Sequence, residues 1–151
     1  MKSKRRRIGV YIWLICLVTV AAFTQFERAA SASEVQFLSA EELKAKIARN
    51  EPVAIIDVRA TTGLSDADNK IKGAVHVKLR RLKSRLMMPP LKDVPRDREV
   101  VTYCACPNDE ASIRAAEVLL AAGFSRVRVL KGGWVTWKKT KGQVEPLSKI
   151  L

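Results

Sequence analysis

Residues 100–122 read VVTYCACPNDEASIRAAEVLLAA and predict a strand, a loop and a helix in succession. Val100–Tyr103 is a short apolar run, which is typical of a strand buried on both faces of a parallel sheet. The helix is predicted over Ala111–Ala122, where alanines and leucines recur at helical spacing and Gly123 follows as a natural C-terminal residue. Cys104 is the first residue after the predicted strand, so it lies where the strand gives way to the loop.

The same alternation of strand and helix is found upstream of this stretch. Val35–Leu38 predicts a short strand, and Ser39 with Glu42 three residues later forms a capping box that starts a helix. Pro52 closes that helix, and the apolar run Val53–Val58 predicts a second buried strand.

Shorter elements complete the predicted order. They are a loop over Thr61–Lys70, a short strand within Ile71–Val77, a helical turn carrying Leu79, Leu82 and Leu86, a loop over Met87–Asp97, a strand over Val127–Leu130, and a short helix over Trp134–Lys139 with a basic tail. Strands that alternate with helices predict an α/β fold with a mostly parallel sheet and helices on both faces.

Length and composition fit one globular domain. The chain has 151 residues, of which 48% are hydrophobic, and its formal net charge is +13. A basic chain attracts anions, but the sequence has neither a nucleic-acid-binding motif nor aromatic residues interleaved with basic ones. We therefore interpret the charge as a solvated basic surface and expect no nucleic-acid partner.

Residues 1–32 are interpreted as a targeting segment, and residues 33–151 as the folded domain. The basic cluster Lys2–Arg7 precedes the uncharged run Ile8–Phe23, an order that predicts export of the chain that follows. Ala30–Ala32 reads A-S-A, a signal-peptidase pattern, so both a cleaved signal peptide and a retained membrane anchor remain open. The expected location is the periplasm, or the inner membrane with the domain facing the periplasm.

Cys104 is the main candidate for chemistry. In parallel sheets, ligands bind beyond the carboxyl ends of the strands, and a loop that enters a helix offers unpaired N–H groups. Those groups and the helix dipole stabilise an anion such as a thiolate, which favours a nucleophile that accepts sulfur, phosphoryl or acyl groups. The predicted active-site loop consists of Cys104, Ala105, Cys106, Pro107, Asn108, Asp109, Glu110, Ala111 and Ser112.

The cysteine count excludes some other interpretations. Cys16, Cys104 and Cys106 are too few for a disulfide framework. Cys-x-Cys lacks the spacing of common zinc sites, and His76, the single histidine, lies in a different predicted element, so no metal is expected. Cys104 and Cys106 remain able to cycle as a disulfide.

Five segments, in order, resemble the rhodanese domain family between about Ser39 and Trp137. They are Ile55–Arg59, the I-K-G-A-V-H-V segment over Ile71–Val77, Tyr103-Cys104, the helix segment Ala115–Phe124, and L-K-G-G-W with Trp137 three residues further on. The resemblance implies a three-layer rhodanese-like fold and a sulfurtransferase that carries sulfane sulfur as a cysteine persulfide. It implies a small sulfur donor, a protein thiol as acceptor, and no metal or organic cofactor.

The active loop departs from the family pattern C-x-x-G-x-R. Cys104–Ser112 reads CACPNDEAS, so the glycine and the arginine are absent, and Asp109 and Glu110 stand where positive charge would help. Carboxylates near a thiolate disfavour it and repel anionic donors such as thiosulfate. Pro107 removes one N–H group, while Arg114 on the helix is a candidate for the missing positive charge.

Two questions of assignment stay open at this point. Counted from the strand, Cys104 is the catalytic position, whereas counted back from Ser112 it is Cys106; we favour Cys104, with Cys106 as the alternative or as a resolving thiol. Asp57 and Arg59 are expected to form a structural pair near the site.

Two other functions compete with sulfur transfer: a non-catalytic binding module, and a thiol-disulfide redox protein that uses the Cys-x-Cys pair. A phosphatase of the Cys-x5-Arg type is the least favoured alternative, because Glu110 and Ser112 occupy the positions where its arginine would stand.

Overall fold

The computed structural model describes residues 35–60 and 69–147. The predicted targeting segment and most of the predicted loop over Thr61–Lys70 lie outside these residues. Within the described ranges, no helix has the length and apolar character needed to cross a membrane.

The described chain alternates between strands and helices. In order, the elements are β1 (Gln36–Leu38), α1 (Ala40–Ala48), β2 (Val53–Asp57), β3 (Asn69–Ile71), β4 (Val75–His76), α2 (Leu82–Arg85), β5 (Glu99–Tyr103), α3 (Glu110–Ala121), β6 (Val127–Leu130), α4 (Gly133–Lys139) and β7 (Val144–Pro146). Short 3-10 turns at Leu79–Arg81 and Leu91–Asp93 flank α2.

Five parallel strands form the central sheet in the order β1-β6-β5-β2-β4. The central strand, β5, pairs with β2 through five residues, from Val53 opposite Glu99 to Asp57 opposite Tyr103. All five residues of β5 are buried, as expected for a strand covered on both faces. The predicted parallel α/β fold is confirmed.

Each face of the sheet has its own apolar core. One core includes Val100, Cys104, and residues of α2 and α3. The other includes Val101, Tyr103, and residues of α1 and α4. Because side chains alternate along a strand, consecutive residues of β5 enter different cores. The prediction of helices on both faces is therefore confirmed.

Local sequence signals account for several element ends. The Ser39 Oγ accepts a hydrogen bond from the Glu42 N–H at 3.0 Å, as the capping box predicts. The Glu42 carboxylate pairs instead with Arg128 at 2.8 Å, so only half of the box is formed. Gly123 follows α3 with a φ of +90°, a conformation that glycine adopts without strain.

Two sequence predictions were wrong. Asn69 and Lys70 belong to β3 rather than to a loop, and the predicted basic tail contains β7, which pairs with β3 in an antiparallel two-stranded sheet. Lys70 and Glu145 form an ion pair across these strands. Three-residue strands that are far apart in the chain show no local periodicity, so their pairing depends on the tertiary fold.

Candidate functional site

Cys104 lies directly after β5, at the carboxyl end of the central sheet. Its side chain is only 1% exposed and packs in the core beneath α3. The loop that follows runs through Asn108 and reaches α3 at Glu110. The structure therefore places this cysteine at the strand-to-helix junction that the sequence predicts.

Two groups face the sulfur of Cys104. The Cys106 backbone N–H donates to Cys104 Sγ at 3.3 Å, and Ser112 Oγ lies 3.5 Å from the same sulfur. Ser112 Oγ also donates to the Asp109 carbonyl at 2.8 Å. The Ser112 hydroxyl is within donating distance of both Cys104 Sγ and the Asp109 carbonyl, and its single proton serves one of them at a time. Both groups suit an anionic sulfur.

Cys106 lies in a different environment, two residues further along the loop. Its side chain is partly buried against the same core. Burial raises the pKa of the Cys106 thiol, and hydrogen bonding to the Cys104 side chain raises it further, against a lowering contribution from the Ala111 N–H. Of the two thiols, Cys106 is the more accessible to solvent.

Both ends of the loop are hydrogen-bonded to the N-terminal end of α4. The Cys104 carbonyl accepts from the Trp134 N–H at 2.8 Å, and Asp109 Oδ2 accepts from the Gly132 N–H at 2.8 Å. Asp109 is buried, and its backbone adopts the left-handed conformation, with a φ of +54°. A Cβ on Gly133 would lie 2.1 Å from the Cys104 carbonyl oxygen, so only glycine fits there. The Gly132-Gly133 pair therefore holds the loop in place.

Four predicted loop residues are exposed on the outside of the site: Ala105, Pro107, Asn108 and Glu110. Arg114, the candidate replacement for the missing arginine, donates to Glu110 at 2.6 Å, one helical turn away. Both side chains of this pair are about two-thirds exposed, at 65% and 67%. The structure thus directs Arg114 to Glu110 and solvent rather than to the sulfur.

Asp57 and Arg59 form the predicted pair, but on the opposite face of the sheet from Cys104. Arg59 Nη2 and Asp57 Oδ2 are 2.7 Å apart, and the side chains are 6% and 0% exposed. Tyr103 Oη donates to Asp57 Oδ2 at 2.9 Å and accepts from the Ile71 N–H at 3.1 Å. The Arg59 guanidinium also stacks over the Trp134 ring at 4.2 Å.

The electrostatics of this cluster follow from its contacts. Burial opposes ionisation of Asp57, but the His76 ring at 3.6 Å and the Arg59 guanidinium outweigh it and hold the pKa at about 2. Burial, together with the charge of Asp57, raises the pKa of Tyr103, so the phenol stays protonated as a donor. The cluster is therefore ionised and hydrogen-bonded, and it stabilises the carboxyl end of the sheet on the face opposite Cys104.

Sequence reasoning missed Tyr103 and Trp134 as partners of Asp57 and Arg59. The alternation of side chains along β5 was an available signal, because it puts Tyr103 on the face opposite Cys104. Among residues 35–60 and 69–147, no group of three or more histidine, cysteine, aspartate or glutamate side chains is arranged to hold a metal ion.

Known proteins share this fold and this sequence pattern. The family model of the rhodanese-like domain matches residues 39–140. A sulfurtransferase from Allochromatium vinosum is 28% identical over 105 residues, which are 70% of this chain and 90% of the relative.

Two solved structures extend the comparison. The solution structure of a rhodanese-like domain from Anabaena sp. is 30% identical, with a TM-score of 0.62 over 78% of this chain and 83% of that chain. A thiosulfate sulfurtransferase from Pseudomonas aeruginosa is 22% identical, with a TM-score of 0.59 over 73% of this chain and 20% of that chain, a likeness of fold alone.

Proposed function

Because this chain belongs to the rhodanese-like domain family, we propose that it is a sulfurtransferase that carries sulfane sulfur as a persulfide on Cys104. The observation that supports this most directly is the pair of polar groups at the Cys104 sulfur. The Cys106 N–H and the Ser112 hydroxyl lie 3.3 and 3.5 Å from it, at the carboxyl end of a buried strand.

The reaction has two displacements at sulfur. The Cys104 thiolate attacks the sulfane sulfur of a donor, the donor's S–S bond breaks, and the leaving group departs with the electron pair. An acceptor thiolate then attacks the outer sulfur of the persulfide and regenerates the Cys104 thiolate. The two polar groups stabilise the anionic sulfur before and after each displacement.

The environments of the two thiols favour Cys104 over Cys106 as the carrier. Burial and the neighbouring Cys104 side chain raise the pKa of Cys106, which lowers its thiolate fraction near neutral pH. Cys104 has the two polar groups, and its burial shields a persulfide from water.

The charge around the loop favours a persulfide donor over thiosulfate. Glu110 is exposed at the start of α3, and Arg114 is paired with it. A doubly charged anion gains little from such a surface. The proposed donor is therefore a persulfidated thiol, either of low molecular weight or on a protein.

We also propose that the chain works on the outer side of the inner membrane. The support is the basic cluster Lys2–Arg7 followed by the uncharged run Ile8–Phe23. Intact mass of the protein purified from cells tests this: a start at Ser33 means cleavage, and a start at Met1 in the membrane fraction means an anchor. A Met1 start in the cytosolic fraction contradicts export.

Sulfur loading tests the function. The full chain, with Cys16→Ser as background, is incubated with glutathione persulfide and its intact mass is measured without reductant. A one-sulfur adduct is expected in Cys106→Ser and should be absent in Cys104→Ser. An adduct that survives Cys104→Ser but disappears in Cys106→Ser moves the carrier to Cys106. No adduct in any variant contradicts the proposal and leaves a binding module.

A further inference from the structure

We propose that Cys106 resolves the Cys104 persulfide, releasing the captured sulfur as sulfide and leaving a Cys104–Cys106 disulfide. This activity rests on the proposed function, because it requires the persulfide to form first. It adds a second outcome for the captured sulfur, which is reduction within the domain in place of transfer to another molecule.

The loop brings residue 106 back onto the sulfur of residue 104. The Cys106 N–H donates to Cys104 Sγ at 3.3 Å, and the Cys104 side chain is among the groups that act on the Cys106 thiol. Both cysteines are free thiols. One residue separates the two cysteines, and the hydrogen bond between their side chains places the Cys106 sulfur next to that of Cys104.

Access to Cys104 favours this internal thiol over an external one. Cys104 is 1% exposed, and the bond from the Trp134 N–H to its carbonyl holds its backbone in place. An external acceptor must pass the exposed loop, whereas Cys106 already lies against the same core. Holding two reacting groups together in this way raises their effective concentration greatly.

The step balances in atoms and electrons. The Cys106 thiolate attacks Cys104 Sγ, the bond from Sγ to the outer sulfur breaks, and the outer sulfur leaves as hydrosulfide with the electron pair. Two cysteine thiols are oxidised to one disulfide, and one sulfane sulfur is reduced to sulfide. A low-molecular-weight or protein thiol then reduces the disulfide, and it meets Cys106 first because that residue is the more exposed.

The environment of Cys106 sets the rate of resolution. Its raised pKa lowers its thiolate fraction near neutral pH, so resolution is slow there and the persulfide accumulates. Resolution should accelerate as the pH rises and the Cys106 thiolate accumulates. A loading step near neutral pH and a resolving step at alkaline pH therefore separate the two reactions.

The experiment uses the full chain with Cys16→Ser as background, so that two thiols remain. The protein is loaded with glutathione persulfide near neutral pH, freed of donor by rapid gel filtration, and moved to alkaline pH. The chain with both cysteines should release about one sulfide and gain the mass of one disulfide. Cys106→Ser and Cys106→Ala should keep the adduct at least about tenfold longer.

The outcomes separate this inference from the proposed function. If the variants at Cys106 load sulfur and the parent keeps its adduct equally long, resolution is wrong and the carrier role stands. If peptide mapping finds the extra sulfur on Cys106 with no disulfide, resolution is also wrong, because the sulfur has been relayed outward. If neither Cys106 variant loads although both melt like the parent, the Cys104 carrier fails and the inference with it.

Discussion

Tyr103 and Cys104 are adjacent in the chain but belong to opposite faces of the sheet. On the Tyr103 face, Asp57 accepts from Tyr103 and is paired with Arg59, and Arg59 stacks over Trp134. On the Cys104 face, the surroundings are mostly apolar, and the Cys106 N–H and the Ser112 hydroxyl lie at the long distances of 3.3 and 3.5 Å from the sulfur.

The two faces therefore differ in what their polar groups do: those on one face stabilise the fold, and those on the other act on the reactive sulfur. On the Tyr103 face, the charged groups pair with one another. This pairing stabilises the fold and leaves these charges unavailable to a substrate. The Cys104 face holds two donors at long distance from a polarisable sulfur, where they stabilise the negative charge that appears and disappears during the reaction. Substitutions on the first face should therefore change stability, and substitutions on the second should change sulfur chemistry.

Asp57→Asn should give the largest effect on stability. It removes the negative charge paired with buried Arg59, and breaking such a pair costs about 3–5 kcal/mol. Chemical denaturation measures the loss, and Arg114→Gln is the matched control, because its exposed pair with Glu110 contributes at most about 0.5 kcal/mol. Sulfur loading of the folded Asp57→Asn protein should stay close to that of the parent.

The pH dependence of stability checks the same pair. The folded pKa of Asp57, about 2, is below the ordinary value of 3.8, so its contribution is fully present above pH about 4 and is lost as the pH falls towards 2. This loss amounts to about 2 kcal/mol. Other carboxylates titrate too, so the informative quantity is the difference between parent and Asp57→Asn. Parallel acid curves would mean that Asp57 is not held ionised by its neighbours.

Gly133→Ala should cause the next largest loss of stability, and it should also change the sulfur chemistry of the Cys104 face. Its Cβ would lie 2.1 Å from the Cys104 carbonyl oxygen, so the turn or the active loop must move. Gly123→Ala is the control, because Gly123 also has a positive φ but its Cβ would meet nothing within 4 Å. Backbone strain alone costs about 1 kcal/mol in the control, and Gly133→Ala should cost at least about 2 kcal/mol more.

Sulfur loading sharpens the Gly133 experiment. The bond from the Trp134 N–H to the Cys104 carbonyl should be lost, so loading should slow in Gly133→Ala and stay unchanged in Gly123→Ala. Equal stability and equal loading in the two variants would show that the glycine turn does not hold the cysteine in place.

Much of the fold is predictable from the sequence because the central elements carry their signals locally. The strands β2 and β5 contain the apolar runs Val53–Ile56 and Val100–Val101, all of β5 and the second half of β2 are buried, and α3 shows helical spacing before Gly123. The pairing of β3 with β7 was missed because each strand has three residues and the partner lies in a distant part of the chain. Only the tertiary fold brings them together.

The site was predictable in position but not in its details. The place of Cys104 follows from the strand that precedes it, since that strand ends at the carboxyl edge of the sheet. The sequence predicts that the charge of Asp109 acts on the thiolate, whereas in the structure its carboxylate accepts from the Gly132 N–H. That contact depends on a left-handed backbone at Asp109, which propensity does not predict for a single residue.

Glu110→Gln should give the smallest of these effects, and it should change only the rate of sulfur loading on the Cys104 face. It removes an exposed charge near the loop, so loading from thiosulfate should rise about twofold at low salt and converge with the parent at high salt. Glu117→Gln removes an equal charge two turns along α3 and should leave the rate unchanged. Stability should fall by at most about 0.5 kcal/mol. A loss comparable to that of Asp57→Asn would mean that the two faces do not divide stability and chemistry between them.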